Sequence, residues 1–346
     1  MRKVFIVLFL ISIVAFPVNA TEFIAPDAPD SGQSYMPERI DSFGEGLWYV
    51  ICSAIAAAKP EIAQSARLCT CAIGITLLTS LLQTVSSRSK KVTDLAAAVG
   101  IGIVLLQPTQ ALIQLGTNTV TEISEYGKVL IPVMTAAVAA QGGVTTSTAL
   151  YTGTTLFCGI LTSLIAKLIV PMIYIFLCLS MANSAVGEGA LSKLRDFMKW
   201  LMTWLLKIVL YIFTGYISIT GVVGGSADAS MVKATKLAIS GSVPIVGNIL
   251  SDASESILVS AGLMKSTAGI YGVIAIIATW IGPFLRIGIL SLLLKLTAAA
   301  CDVFGSKATS DLVRDYSIAM SFVIAAFSAI SLMLLISTVC FMKGVS

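Results

Sequence analysis

From Ala149 to Ala182 the chain is almost unbroken apolar sequence, interrupted by Lys167 and Pro171. At 1.5 Å of rise per residue these roughly 34 positions exceed what one straight helix needs to cross a hydrocarbon core of about 30 Å. Ala268 to Ala300 is a second overlong run, split at Gly282-Pro283 with Arg286 inside it. Ala66–Val85, Val92–Leu115, Phe197–Val223 and Ser317–Phe341 are shorter runs, each of spanning length. Only helices and closed barrels satisfy every backbone polar group in lipid, and a barrel reads as short alternating strands instead. The chain is therefore an all-α, polytopic helical membrane protein, with about six to eight membrane segments. Its residues are 57% hydrophobic and 12% charged, against about a quarter charged in soluble domains.

Proline removes a backbone hydrogen bond, so Pro171 and Pro283 predict two proline-broken helices, each a kinked crossing, a re-entrant segment or a tight pair.

The start looks like an export signal. Met1-Arg2-Lys3 is basic, Val4 to Phe16 is apolar, and Val18-Asn19-Ala20 is a small-x-small site. Residues 1–20 are expected to be a signal peptide, with an uncleaved anchor as the rival reading. Residues 21–60 form an exported arm, rich in proline and acids, and an interfacial helix at Leu47 to Ala58. The helical transmembrane domain then covers 66–346. Basic linkers at Arg88 to Lys91, Lys193 to Lys199 and Lys307 to Arg314 mark the cytoplasmic side, which agrees with an exported start. Polar Thr117 to Tyr126 is read as an outer interval. Lys207 either snorkels to headgroups or lies on an ion route.

The residue inventory narrows the chemistry. The chain has no histidine, which removes Ser-His and Cys-His nucleophile pairs and HExxH zinc sites. Cys69-Thr-Cys71 is not a metal spacing, and the seven cysteines sit mostly in apolar runs, as small buried residues do. A net charge of +4, scattered along the chain, does not suggest nucleic acid as a partner. No catalytic residue, metal or cofactor is expected, and the lipid bilayer is the one partner that composition demands.

Gly224 to Lys265 is the most patterned polar interval. Ser226 can cap a helix with Asp228 in its first turn, and Asp252-Ala-Ser-Glu255 has capping-box form. Pro244 and Gly247 separate the two. We read 224–265 as an amphipathic extracytoplasmic hairpin. Asp228, Lys233, Lys236, Pro244, Gly247, Asp252 and Glu255 are its candidate functional or interaction residues, joined by Pro283 and Arg286 downstream. A cation at membrane depth is functional or pairs structurally, and both readings stand for Arg286. The other polar residues serve function or merely cap helices and anchor at headgroups. The spacing of Pro132 to Pro171 also equals that of Pro244 to Pro283, within a recurring order of elements. This predicts an internal repeat of the kind found in transporters, with both halves oriented alike.

The motif string Gly221 to Gly225, Ser226-Ala-Asp228, Lys233-Ala-Thr-Lys236, Val243-Pro-Ile-Val-Gly247, Leu250-Ser-Asp252 and Gly262-Leu-Met-Lys265 resembles the stage III sporulation protein AE family of endospore-forming bacteria. Pro283-Phe-Leu-Arg286, Lys295-Leu-Thr-Ala298, Ile131-Pro132-Val, Gly142-Gly143-Val-Thr, Val170-Pro171-Met and Leu191 to Trp200 extend the likeness. The resemblance implies a non-enzymatic, permease-like membrane subunit of a transenvelope channel complex that links mother cell and forespore. It would sit in the mother-cell membrane around the forespore and support late forespore gene expression. The implied partners are the other membrane proteins of the stage III sporulation A operon and the forespore-side complex, with a homo-oligomer also open. The competing readings are a polytopic subunit of a type IV secretion or conjugation apparatus and an autonomous transporter. An intramembrane enzyme is disfavoured by the missing histidine.

Overall fold

The computed structural model describes residues 26–37, 42–85, 90–186, 191–242, 247–304 and 307–343. Within these, the side chains of 85, 90, 91, 219–266 and 304 lie outside the description. The signal segment 1–20 also falls outside the described residues.

Among the described residues the secondary structure is helical, with no strand. A short α1 (Asp30–Gln33) precedes α2 (Phe43–Val85), α3 (Lys90–Ala140), α4 (Val144–Leu164), α5 (Val170–Val186), α6 (Ser192–Ser242), α7 (Gly247–Phe304) and α8 (Lys307–Lys343). A π-helical turn, Ile165–Ile169, joins α4 to α5. Taking α4 and α5 as one rod, six helices are long and apolar enough to cross a membrane. The chain is a multi-pass membrane protein.

Consecutive helices alternate in direction, and side-chain contacts gather three of the hairpins at one end. Gln83 Nε2 donates to Asp94 Oδ1 at 2.9 Å between α2 and α3. Ser184 Oγ donates to the Ala308 carbonyl at 2.7 Å between α5 and α8. Arg314 Nη2 reaches Asp302 Oδ2 at 2.7 Å across the α7–α8 turn. The opposite end holds the α3–α4 turn, where Gly142 has φ 92°, a conformation that glycine adopts without a Cβ penalty.

α8 is the central helix. Its most apolar window is 61% buried, against 22% for α2 and for α6 at the periphery. Tyr316, Phe327 and Phe341 of α8 are fully enclosed, together with Phe176 of α5 and Phe213 of α6. Hydroxyls inside the bundle bond back to their own helix, as Thr76 does to Ala72, Thr297 to Leu293 and Thr338 to Leu334, which satisfies these buried O–H groups within the helix. Others cross between helices. Ser317 Oγ donates to the Ser291 carbonyl at 2.8 Å, and Thr154 pairs with Ser337.

Several local expectations change. The interfacial helix and the first span are one helix, since α2 runs through Pro60 without interruption; the boundary drawn near position 60 falls inside it. The polar interval Thr117 to Tyr126 is not an outer loop. It belongs to α3, where Thr119, Val120, Ile123 and Tyr126 are buried. The apolar stripe continues through Leu130, Met134 and Val138 at helical spacing, and threonines such as Thr117 and Thr121 satisfy their hydroxyls on the helix itself.

The two overlong runs are continuous rods. Pro171 follows the π turn, whose wider i→i+5 bonding, Val170 N–H to Ile165 O, relieves the clash that a proline ring makes with the carbonyl four residues back. Pro283 lies inside α7. Ser226 and Asp252 also lie within α6 and α7 and start no helix. Alternation points α4–α5 and α7 the same way, as the expected repeat requires.

The arm also differs. Too little apolar surface predicts an extended segment, yet residues 26–37 dock on the bundle. Ala28 is buried in the main core. Single buried residues and hydrogen bonds to neighbouring helices hold the arm where its own composition would not.

Candidate functional site

Gly282 and Pro283 open the second half of α7, and three features meet there. A Cβ added at Gly282 would lie 2.8 Å from the Tyr35 ring, so glycine is what admits the arm. One helical turn earlier, Gly32 of α1 sits against Thr279, whose Oγ1 would lie 2.5 Å from a Cβ there. Pro283 has no N–H to give the Thr279 carbonyl. Trp280 and Phe284 stack with centroids 4.4 Å apart, and the Trp280 indole donates to Ser328 Oγ of α8 at 2.8 Å. On α3, Glu122 accepts from Ser31 of the arm, and the Tyr126 hydroxyl donates to the Pro26 carbonyl at 3.5 Å.

Just beyond the docked arm lies a polar groove at the α2–α7 seam, closed at its back by α3. Arg286 Nε stands 3.2 Å from Glu61 Oε1, with the two side chains 44% and 25% exposed. Gln64, Ser65 and Leu68 of α2, Pro108, Ala111, Leu112 and Leu115 of α3, and Leu290 of α7 complete a cavity of about 320 Å³. A proline stands at or beside the groove on each helix: Pro60 next to Glu61, Pro108 in the wall, Pro283 one turn before Arg286. Each frees the backbone carbonyl four residues earlier from its helical bond.

A second polar cavity, about 310 Å³, lies at the hairpin end among Ser180, Asn183, Ser184, Ser192, Arg195, Lys307, Asp311 and Asp315. Its centre is an ion pair, Arg195 Nη1 to Asp315 Oδ2 at 2.9 Å, with side chains 17% and 8% exposed.

Of the candidates read from sequence, Pro283 and Arg286 are thus brought together with partners. For Arg286 the structure supplies a carboxylate partner, Glu61. Gly247 begins α7. The side chains of Asp228, Lys233, Lys236, Asp252 and Glu255 lie outside the described residues, and Pro244 falls in the 243–246 connection, also outside them. Sequence reasoning missed Glu61, which lies far from Arg286 along the chain. The signal that could have found it is a carboxylate beside Pro60, between the apolar runs that end at Ala58 and begin at Ala66. It also missed Asp315, hidden beside Arg314 in what reads as a basic linker. Among the described residues no group of three or more histidine, cysteine or acidic side chains could hold a metal.

Among the described residues the geometry offers charged grooves on a long-helix scaffold. The profile of stage III sporulation protein AE matches residues 41–344. The chain belongs to the stage III sporulation protein AE family. Stage III sporulation protein AE of Bacillus subtilis (strain 168) is 22% identical over 282 residues, covering 80% of this chain and 71% of that protein. No solved structure matches. The family match begins just ahead of α2 and ends at the close of α8, so it takes in both charged grooves.

Proposed function

We propose that this protein is a non-enzymatic, permease-like membrane subunit of the sporulation channel complex that links mother cell and forespore. The observation that carries this reading, beside family membership, is helix length. α3 and α6 have 51 residues each and α7 has 58. At 1.5 Å per residue they run to about 76–87 Å, against roughly 40–45 Å for a whole bilayer with headgroups. A subunit that only crosses one membrane does not need such rods. One that meets partners in the space between two membranes does.

In this reading the basic linkers Lys193 to Lys199 and Lys307 to Arg314 face the mother-cell cytoplasm. The α3–α4 turn and the α6–α7 tips, with Asp228 to Glu255, reach into the intermembrane space. There they would contact other membrane proteins of the stage III sporulation A operon and the forespore-side complex. The peripheral α2 and α6 faces are where copies of this chain, or lipid, would pack.

The test is genetic. In a spore-forming host lacking this gene, a late forespore reporter should fail and the engulfed forespore should shrink. The wild-type gene should restore both. A copy whose α6–α7 tips are shortened by two turns on each helix, present at normal level, should not. Normal late reporter activity in the deletion strain would remove this reading.

A further inference from the structure

The Glu61–Arg286 pair is only half engaged. Arg286 meets Glu61 through Nε alone, and among the described residues no hydrogen bond engages Nη1 or Nη2. Both side chains keep part of their surface open. Arg286 lies about 27 Å of helix from the α7 end at Phe304, and Glu61 about 36 Å from the α2 end at Val85. With the basic linkers at one membrane surface, the pair sits about one hydrocarbon thickness away, near the opposite headgroup boundary. There the unengaged guanidinium donors lie at the depth of lipid headgroups.

The groove is also graded. Glu61, Gln64, Ser65 and Arg286 form its polar end, and Leu68 and Leu290 lie one to two turns deeper on the same helices. Nearer the α2–α3 and α7–α8 turns, Leu78, Leu81 and Leu82 of α2 and Leu292 and Leu296 of α7 are exposed. A headgroup at the top and an acyl chain below match this order.

We propose that the groove binds one zwitterionic diacyl phospholipid whose headgroup carries a primary amine. The phosphate lies on the Arg286 guanidinium, whose paired N–H donors suit it. The ammonium lies on the Glu61 carboxylate. A glycerol headgroup brings no cation to Glu61, and a quaternary ammonium brings no N–H. The site is independent of the channel reading and is tested on the protein alone.

Full-length protein in mild detergent is given equimolar dioleoyl phosphatidylethanolamine, phosphatidylcholine and phosphatidylglycerol, and retained lipid is counted by native mass spectrometry. One phosphatidylethanolamine per chain is expected, favoured about tenfold over each of the others, a difference of about 1.4 kcal/mol. Arg286→Gln should lose the bound lipid. Glu61→Gln should keep a phospholipid but lose the preference for the amine. Glycerophosphoethanolamine, which has the headgroup without chains, should not displace the lipid at equal concentration. Equal retention of all three lipids by the wild type, no retention, or wild-type retention by Arg286→Gln would overturn the site. So would a co-purifying polypeptide in the groove in place of lipid. The wild-type headgroup series decides the matter even if a variant fails to fold.

Discussion

The Arg195 guanidinium of α6 lies 2.9 Å from the Asp315 carboxylate of α8, and this pair ties a peripheral helix to the central one. Both side chains are largely out of water. Arg195 also meets the exposed Asp196 at 3.3 Å, whereas removing Arg195 strands the buried Asp315 carboxylate, which costs roughly 3–5 kcal/mol. Arg195→Leu should therefore lower the thermal unfolding midpoint in detergent sharply. The double variant Arg195→Leu, Asp315→Leu should recover much of the loss. A double variant no better than the worse single one would show that the charges do not act as a pair.

Gly153 admits Tyr216. A Cβ at position 153 would stand 2.0 Å from the tyrosine ring, whose hydroxyl donates to the Ala149 carbonyl at 3.0 Å and whose face packs near Phe157. Small residues let helices approach closely in membranes. Gly153→Ala should loosen α4 from α6 and cost about 1–3 kcal/mol by overpacking. The check is the urea or thermal midpoint of the variant beside Gly159→Ala, where open space surrounds the added carbon and little change is expected.

The arm is held by contacts that a single side chain can block. Gly282→Leu should push Tyr35 away and release residues 26–37. Ala28 reports this, because it is buried in the docked arm. In a background free of the seven native cysteines, Ala28→Cys should react slowly with a maleimide, and adding Gly282→Leu should raise the rate at least about tenfold, as opening of a buried site does. Equal rates would mean the arm does not stay docked.

The orientation proposed for the bundle has its own check. In the same background, a cysteine at Ser251 should react with an impermeant maleimide added outside intact cells. One at Ser192 should react only after the membrane is opened. The reverse pattern would invert the topology.

Some of this architecture was readable in advance, and the reasons differ by feature. Apolar runs count helices because a bilayer sets a minimum length, so the class needed no tertiary information. In the polar interval 117–126, Val120 and Ile123 continue to Leu130 and Met134 at the helical spacing that places it in α3. At Pro171 proline chemistry predicted a break, but a π turn supplied a less costly answer that depends on local backbone geometry.

What the sequence determined alone is the helical class, the order of the apolar runs and where basic residues gather between them. These follow from hydrophobic length and charge, which act locally along the chain. Which polar residues meet was decided only by tertiary structure. Glu61 with Arg286, Arg195 with Asp315 and Tyr35 with Gly282 are encounters between distant segments. They arise because close packing of long helices leaves few places where a charge or a ring can go.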